Sequence, residues 1–210
     1  MNKINYQKRL EETIEKETKA GHVPTLFLHS CCAPCSSYVL EYLSNYFKIT
    51  VFYYNPNITE EAEDKKRVAE QARLISELDT VYPIQLVEGT YDPQRFYEIT
   101  KGMEQMDEGG ERCFACYRLR LEEAAKLAAD GGFDYVTTTL SISPMKNAEK
   151  LNEIGAEVGE KYGIPWLFSD FKKKNGYKRS VELSKEHDLY RQSYCGCGYS
   201  KAQAKREGRI

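Results

Sequence analysis

The chain has 210 residues, with 30 Lys and Arg against 32 Asp and Glu and a formal net charge of −2. Apolar residues make up 41% and aromatic residues 12%, enough for a core, so global disorder is excluded; no apolar run is long enough to span a bilayer. Seven cysteines, an odd number, exclude a fully paired intrachain disulfide framework.

The first twenty residues are charged and have no apolar centre, so no secretory leader is expected. The expected setting is the reducing cytoplasm, where clustered cysteines point to metal or redox chemistry. In chain order, residues 2–20 read as a charged helix and residues 23–30 (VPTLFLHS) as a short buried strand. That strand runs into Cys31, Cys32, Ala33, Pro34 and Cys35, after which residues 36–47 read as a helix capped by Ser36 or Ser37. Residues 48–54 (KITVFYY) are β-branched and aromatic, a second strand, closed by an Asn55-Pro56-Asn57 turn. A long helix over 60–78 carries Val68, Ala72, Ile75 and Leu78 on one side. Residues 84–89 are a third strand, and 92–103 a helix with Pro93 in its first turn.

The acidic loop 106–111 leads into Cys113-Phe114-Ala115-Cys116 and a helix that ends before Gly131-Gly132. Residues 135–143 read as a fourth strand, 147–163 as a helix, 165–171 as a fifth strand and 177–187 as a helix. An irregular loop, Tyr194-Cys195-Gly196-Cys197-Gly198-Tyr199, follows. Strands alternating with helices predict a single α/β domain over 1–210, a doubly wound parallel sheet of about five strands. Ligands of such sheets lie beyond the carboxyl ends of the strands, where the first cysteine group, Ser141, Ser143 and Asp170 all fall.

Charge is unevenly distributed. Residues 1–171 hold 19 Lys and Arg against 28 Asp and Glu, whereas residues 172–210 hold 11 against 4. The second stretch is a basic C-terminal extension of helix and loop. It suits either a solvated helix face or a phosphate backbone.

Every cysteine belongs to one of three groups: Cys31, Cys32 and Cys35; Cys113 and Cys116; Cys195 and Cys197. Thiolate sulfur selects zinc, copper(I) or iron–sulfur clusters, and two cysteines at a turn can reach one metal. A helix N-terminus also favours the thiolate. Four readings compete. Some cysteines could be small buried apolar residues; a structural zinc site would leave three thiols over; a thioredoxin-like Cys32–Cys35 dithiol would leave four unexplained. An iron–sulfur cluster with further ligands or a redox thiol pair accounts best for the number. The position after strand one that holds a glycine-rich phosphate loop in ATP pyrophosphatases holds HSCCAPCS (29–36) here, with no glycine, so ATP binding there is not expected.

In order, HSCCAPCS (29–36), YYNPNI (53–58), ERCFACYRLRL (111–121), TTTLSISPMKN (137–147) and FSDFKKKNGYKRSVELSKEHDLYRQSYCGCGYS (168–200) resemble the cobalamin-independent epoxyqueuosine reductase family (QueH) over nearly the whole chain. The resemblance implies an adenine-nucleotide-hydrolase-like fold. It implies reduction of the epoxide of epoxyqueuosine to queuosine at the wobble position of a tRNA with a GUN anticodon. It further implies a [4Fe–4S] cluster and an adjacent mononuclear iron held largely by Cys31, Cys32, Cys35, Cys113, Cys116, Cys195 and Cys197. One carboxylate ligand is implied, for which Asp170 stands first and Asp107 second.

Removing one oxygen from an epoxide takes two electrons, so a second centre beside a one-electron cluster is useful, and a metal there can polarise the epoxide oxygen. The expected catalytic residues are Cys31, Cys32, Cys35 and His29, with a tyrosine or a metal-bound water as other proton sources; His29 also reads as a structural strand-end residue. Lys172, Lys173, Lys174, Lys178 and Arg179 are expected on tRNA phosphates, with Tyr194 among the tyrosines that could stack on splayed loop bases. Arg112, Arg118 and Arg120 are weaker candidates, because their helix can face inward to the metal. A low-potential donor such as ferredoxin or flavodoxin is the expected electron source. The competing functions are a protein thiol-disulfide oxidoreductase and a zinc-stabilised tRNA-binding module without catalysis.

Overall fold

A computed structural model describes residues 4–210. Helix α1 (Tyr6–Lys19) occupies the first predicted helix, of which residues 2 and 3 lie outside the described residues; Asn5 caps it through its side chain on Lys8 N–H. There follow β1 (Thr25–Ser30), α2 (Ala33–Leu43), β2 (Lys48–Tyr53), α3 (Glu61–Glu77), β3 (Gln85–Glu88), α4 (Pro93–Thr100), α5 (Glu111–Asp130) and β4 (Tyr135–Thr138). A 3-10 turn (Thr139–Ile142) precedes α6 (Ala148–Tyr162), α7 (Gly176–Glu186) and α8 (Gly198–Arg206). No helix among the described residues is long and apolar enough to cross a membrane.

The sheet has four parallel strands in the order β3-β2-β1-β4. Alternate residues of the central strands face opposite layers, as strand geometry requires. Phe27 and Phe52 join α5 and α6 through Leu121, Ala125, Ile154 and Val158. Leu26, Leu28, Ile49 and Val51 meet Leu10 and Ile14 of α1 and Val39, Leu40 and Leu43 of α2 on the other face. The α/β, doubly wound architecture expected from the alternating pattern is therefore present.

The fifth strand shrinks to one parallel bridge, Val136 to Trp166, flanked by bonds of Val136 N–H to Pro165 O and Leu167 N–H to Val136 O. Pro165 has no N–H to give. Beyond it, side chains take the backbone donors: Asn152 Oδ1 accepts from Ser169 N–H at 3.1 Å, and Ser141 Oγ from Phe171 N–H at 3.3 Å. Trp166 fits against α6 only because residue 155 is glycine; a Cβ there would lie 2.1 Å from the indole.

From β1 the chain moves outward through β2 to β3 and then returns to the far side of β1 as β4. The carboxyl ends of β1 and β4 therefore border the topological switch point, where open α/β sheets form their ligand crevice.

Candidate functional site

Each cysteine group meets the start of a helix. Cys32 occupies the cap position of α2, with Cys31 before it and Cys35 in its first turn. Cys113 and Cys116 lie in the opening turns of α5, whose cap is Gly110. Cys197 caps α8, its sulfur accepting Ser200 N–H at 3.3 Å. Helix α8 was not foreseen, because its sequence has no apolar stripe and follows a glycine-rich loop. Each cysteine group thus sits at a helix N-terminus, where unpaired N–H groups and the positive dipole end favour negative charge.

All seven cysteines are free thiols, and they fall into two sets. Cys31, Cys32 and Cys35 form a trio whose sulfurs all lie within 4.8 Å of one another, a group that could hold a metal. The trio opens into a cavity of about 200 Å³, bordered by Arg67, Lys146, Tyr177, Arg191, Tyr194 and Cys195. Cys113, Cys116, Cys195 and Cys197 share a much smaller enclosed space with Glu108, Arg120 and Lys146. Cys195 borders both spaces. The loop that carries it turns at Gly196 with φ +116°, a conformation open to glycine, where a Cβ would also press on Ile58 and Arg67.

The trio is electrostatically unequal. Hydrogen bonds from Cys32 and then Cys35 hold the Cys31 thiol well below its usual range. The same bonding pushes Cys32 up to about 12, and drives Cys35 well above the ordinary value. Thr139 Oγ1 at the end of β4 lies 3.8 Å from the Cys31 sulfur. In the enclosed set, burial raises Cys116 to about 12 and also raises Cys113 and Cys197.

The residues fit an anionic, thiolate-bound metal group. The donor set is soft sulfur. Around it stand four buried cations: Arg67, Arg112, Arg120 and Lys146. Lys146 Nζ lies 3.2 Å from Cys195 Sγ and 3.1 Å from Glu108 Oε1, with both charged side chains only 6% exposed. Burial opposes the Lys146 charge, but Cys195, Tyr117 and Glu108 outweigh it and hold its pKa well above the usual lysine value. The Tyr117 hydroxyl and Arg120 Nη1 are buried without a hydrogen-bond partner, donors aimed at nothing the protein itself supplies.

Not all expected residues meet the thiols. His29 is fully buried, its Nδ1 2.8 Å from Thr138 Oγ1 and its Nε2 3.1 Å from Tyr54 O, and it lines neither space. Burial and then the Arg120 charge push its pKa to about 3, so the ring is neutral. Asp170 lies 3.2 Å from Lys172 and borders a separate groove, with Lys172 and Lys173, outside the thiol spaces. The carboxylate beside the thiols is Glu108, one residue beyond Asp107.

Of the residues expected on tRNA, Tyr194 lines the trio's cavity, with its ring between Arg67 and Lys201. Lys174 pairs with Glu11, Lys178 with Glu182, and Arg179 with Glu41 and Glu186. The cations on the cavity itself are Arg67, Lys146, Arg191 and Arg209. Lys146 had a sequence signal: it is the one charged residue in residues 135–148. Arg67 had none, because it sits among the ordinary charges of α3.

Over most of its length the chain is similar to known proteins. The family model described as epoxyqueuosine reductase QueH matches residues 26–203. An epoxyqueuosine reductase QueH of Staphylococcus epidermidis is 40% identical over 202 residues, covering 94% of this chain and 85% of the relative. Proteins of the same name from Streptococcus pyogenes (41% identical over 200 residues, 94% of this chain and 78% of the relative) and Staphylococcus aureus (39% over 205 residues, 96% and 85%) are similar. The matched span includes all three cysteine groups and all of the sheet but the first residue of β1, and on that basis the chain belongs to the epoxyqueuosine reductase QueH family.

Proposed function

We propose that this chain reduces the epoxide of epoxyqueuosine in tRNA to the alkene of queuosine, at the cavity whose floor is Cys31, Cys32 and Cys35. The reading is supported above all by that compact trio of free thiols opening, at the sheet's switch point, into a space edged by cations and tyrosines. The overall change adds two electrons and two protons to the epoxide and releases one water.

The trio would hold one iron centre, and Cys113, Cys116, Cys195 and Cys197 the other, the two corresponding to a [4Fe–4S] cluster and a mononuclear iron. When bound, these groups supply single electrons and a Lewis acid for the epoxide oxygen. The three helix N-termini and the buried cations would offset part of the cost of burying thiolates at both sets. Asp170 reaches neither set; Glu108 is the carboxylate we assign to the second. Neutral His29 braces the end of β1 and does not donate the proton. The narrow cavity sheds water around the reacting carbons and admits a single splayed base, as single-stranded loop recognition requires.

Tyr177, 39% exposed, and Tyr194 would stack on anticodon-loop bases. Arg191 and Arg209 at the rim would take the nearest phosphates. Lys172, Lys173, Lys174, Lys178 and Arg179, which lie outside the cavity lining, would take more distant phosphates; the exposed pairs Lys174–Glu11 and Lys178–Glu182 are each worth about 0–1 kcal/mol, so a phosphate can displace them. A ferredoxin- or flavodoxin-type donor would feed electrons, and the seven free thiols suit the cytoplasm.

The test is mass spectrometry of nucleosides from epoxyqueuosine-bearing tRNA after incubation with anaerobically reconstituted, reduced protein. Queuosine is the expected product; unchanged epoxyqueuosine with an iron-loaded protein would reject the assignment.

A further inference from the structure

Arg120 is the largest fully buried side chain among the described residues, 1% exposed. It lies one turn beyond Cys116 on α5, hence on the same helix face. Its Nε points to His29 Nε2 at 3.2 Å, its Nη2 donates to Asn55 Oδ1, and its Nη1 has no partner. Asn55 in turn donates to Ser30 O at 3.0 Å, so the guanidinium is pinned to the last residues of β1, directly before the trio.

The other buried cations near the thiols are compensated by the protein. Arg67 pairs with Glu63 at 2.7 Å and Lys146 with Glu108 at 3.1 Å. Arg112 gives its Nη1 to the carbonyls of Met103, Glu104 and Met106. Outside the thiols, Arg120 meets a ring nitrogen of His29 and the Asn55 amide, and it has no ion pair among the described residues. An isolated buried charge is costly and persists where an anion meets it. The sulfurs nearest to it belong to both sets: Arg120 lines the enclosed space with Cys116 and Cys195, and through Asn55 it is tied to Ser30, the residue before Cys31.

We infer that Arg120 is a positioning residue whose single charge is shared by the two thiol sets, so that it sets the reduction potential of the centre on each side of β1. This rests on the reading that both sets hold iron. A nearby cation favours the more negative, reduced form of a thiolate-bound centre, and charge and hydrogen bonds to sulfur are the protein's levers on such potentials. Lys146 differs: its charge is paired with Glu108, and its sulfur contact is with Cys195 alone.

The experiment compares wild type, Arg120→Gln, Arg120→Lys and Asn55→Asp, each reconstituted anaerobically with iron and sulfide. Iron and sulfide are counted, and the midpoint potential of each centre is read by EPR-monitored titration. Arg120→Gln is expected to lower both potentials by at least a tenfold change in the one-electron equilibrium, about 59 mV. Arg120→Lys is expected to restore most of the shift. Asn55→Asp keeps Arg120 and supplies the missing carboxylate, so it should lower both potentials even if Arg120→Gln fails to fold. A shift at one centre alone, or unshifted potentials beside a lowered melting temperature, would overturn the inference and leave the two-centre reading standing. A wild type that takes up no iron would overturn that reading, and this inference with it.

Discussion

The two thiol sets share soft ligands and helix N-termini but differ in access. The trio at the start of α2 opens into a cavity of about 200 Å³, whereas Cys113, Cys116, Cys195 and Cys197 lie in an enclosed space with a buried Lys146–Glu108 pair. The difference is one of supporting elements. The trio stands at the end of a strand, over a crevice that the topology leaves open. The second set is more crowded because the chain's last helix and loop pack on the start of α5: Glu108 N–H donates to Gln203 Oε1, and Cys197 and Tyr199 pack with Phe96 and Cys116. An open centre can meet a substrate; a closed one can store or relay electrons and stay dry.

Substitution tests that contrast most sharply. Cys32→Ser and Cys35→Ser should lower turnover on epoxyqueuosine tRNA by at least about a hundredfold, the upper end of what losing a mere supporting group costs at a metal site. In a tRNA-binding assay the same variants should retain affinity, since the rim cations and tyrosines are untouched. Loss of both activities would show that the trio is structural. Next comes the closed set's buried pair. Lys146→Met strands Glu108 and should cost about 3–5 kcal/mol in urea unfolding. Glu108→Gln combined with it should recover a large part; no recovery would mean that Lys146 acts through packing alone.

Away from both sets, Gly155→Ala pushes a methyl into Trp166 and should cost about 1–3 kcal/mol of stability, with the potentials of both centres unchanged. Asp64 gives the smallest effect and a definite sign. Burial raises its pKa from 3.8 to about 6. Its folded value lies above the unfolded one, so the stabilisation from holding the proton is full below pH 3.8 and is lost as pH rises through about 6. Asp64→Asn should therefore be more stable than wild type at pH 7 by about 1–2 kcal/mol, with the gap closing on acidification. A gap independent of pH would contradict the assignment.

Much of this was legible in the sequence. Alternating apolar strands and helices specified the doubly wound sheet, and the grouping of all seven cysteines pointed to metal chemistry before any coordinate. The fifth strand is present only as the Val136–Trp166 bridge, because Asn152 and Ser141 take the backbone donors of residues 169 and 171, which periodicity does not carry. Helix α8 was missed because its packing rests on Ser200 and Ala204 alone among its buried residues. The basic stretch after residue 171 was visible, but its carboxylate partners Glu11 and Glu41 lie far away in sequence. The cations that line the cavity, Arg67 and Arg191, are ordinary helix and loop charges until the fold brings them together. Charge partnership over long sequence separations is a property of topology, which one-dimensional patterns do not carry.

The claim that two thiol sets make two centres is tested most directly by counting iron and acid-labile sulfide in two double variants, Cys32→Ser with Cys35→Ser and Cys116→Ser with Cys197→Ser. The account predicts that one pair removes the sulfide-bearing centre and the other only the sulfide-free iron, each leaving the other centre visible by EPR. Equal loss of all iron and sulfide from both, with the fold intact by circular dichroism, would contradict it.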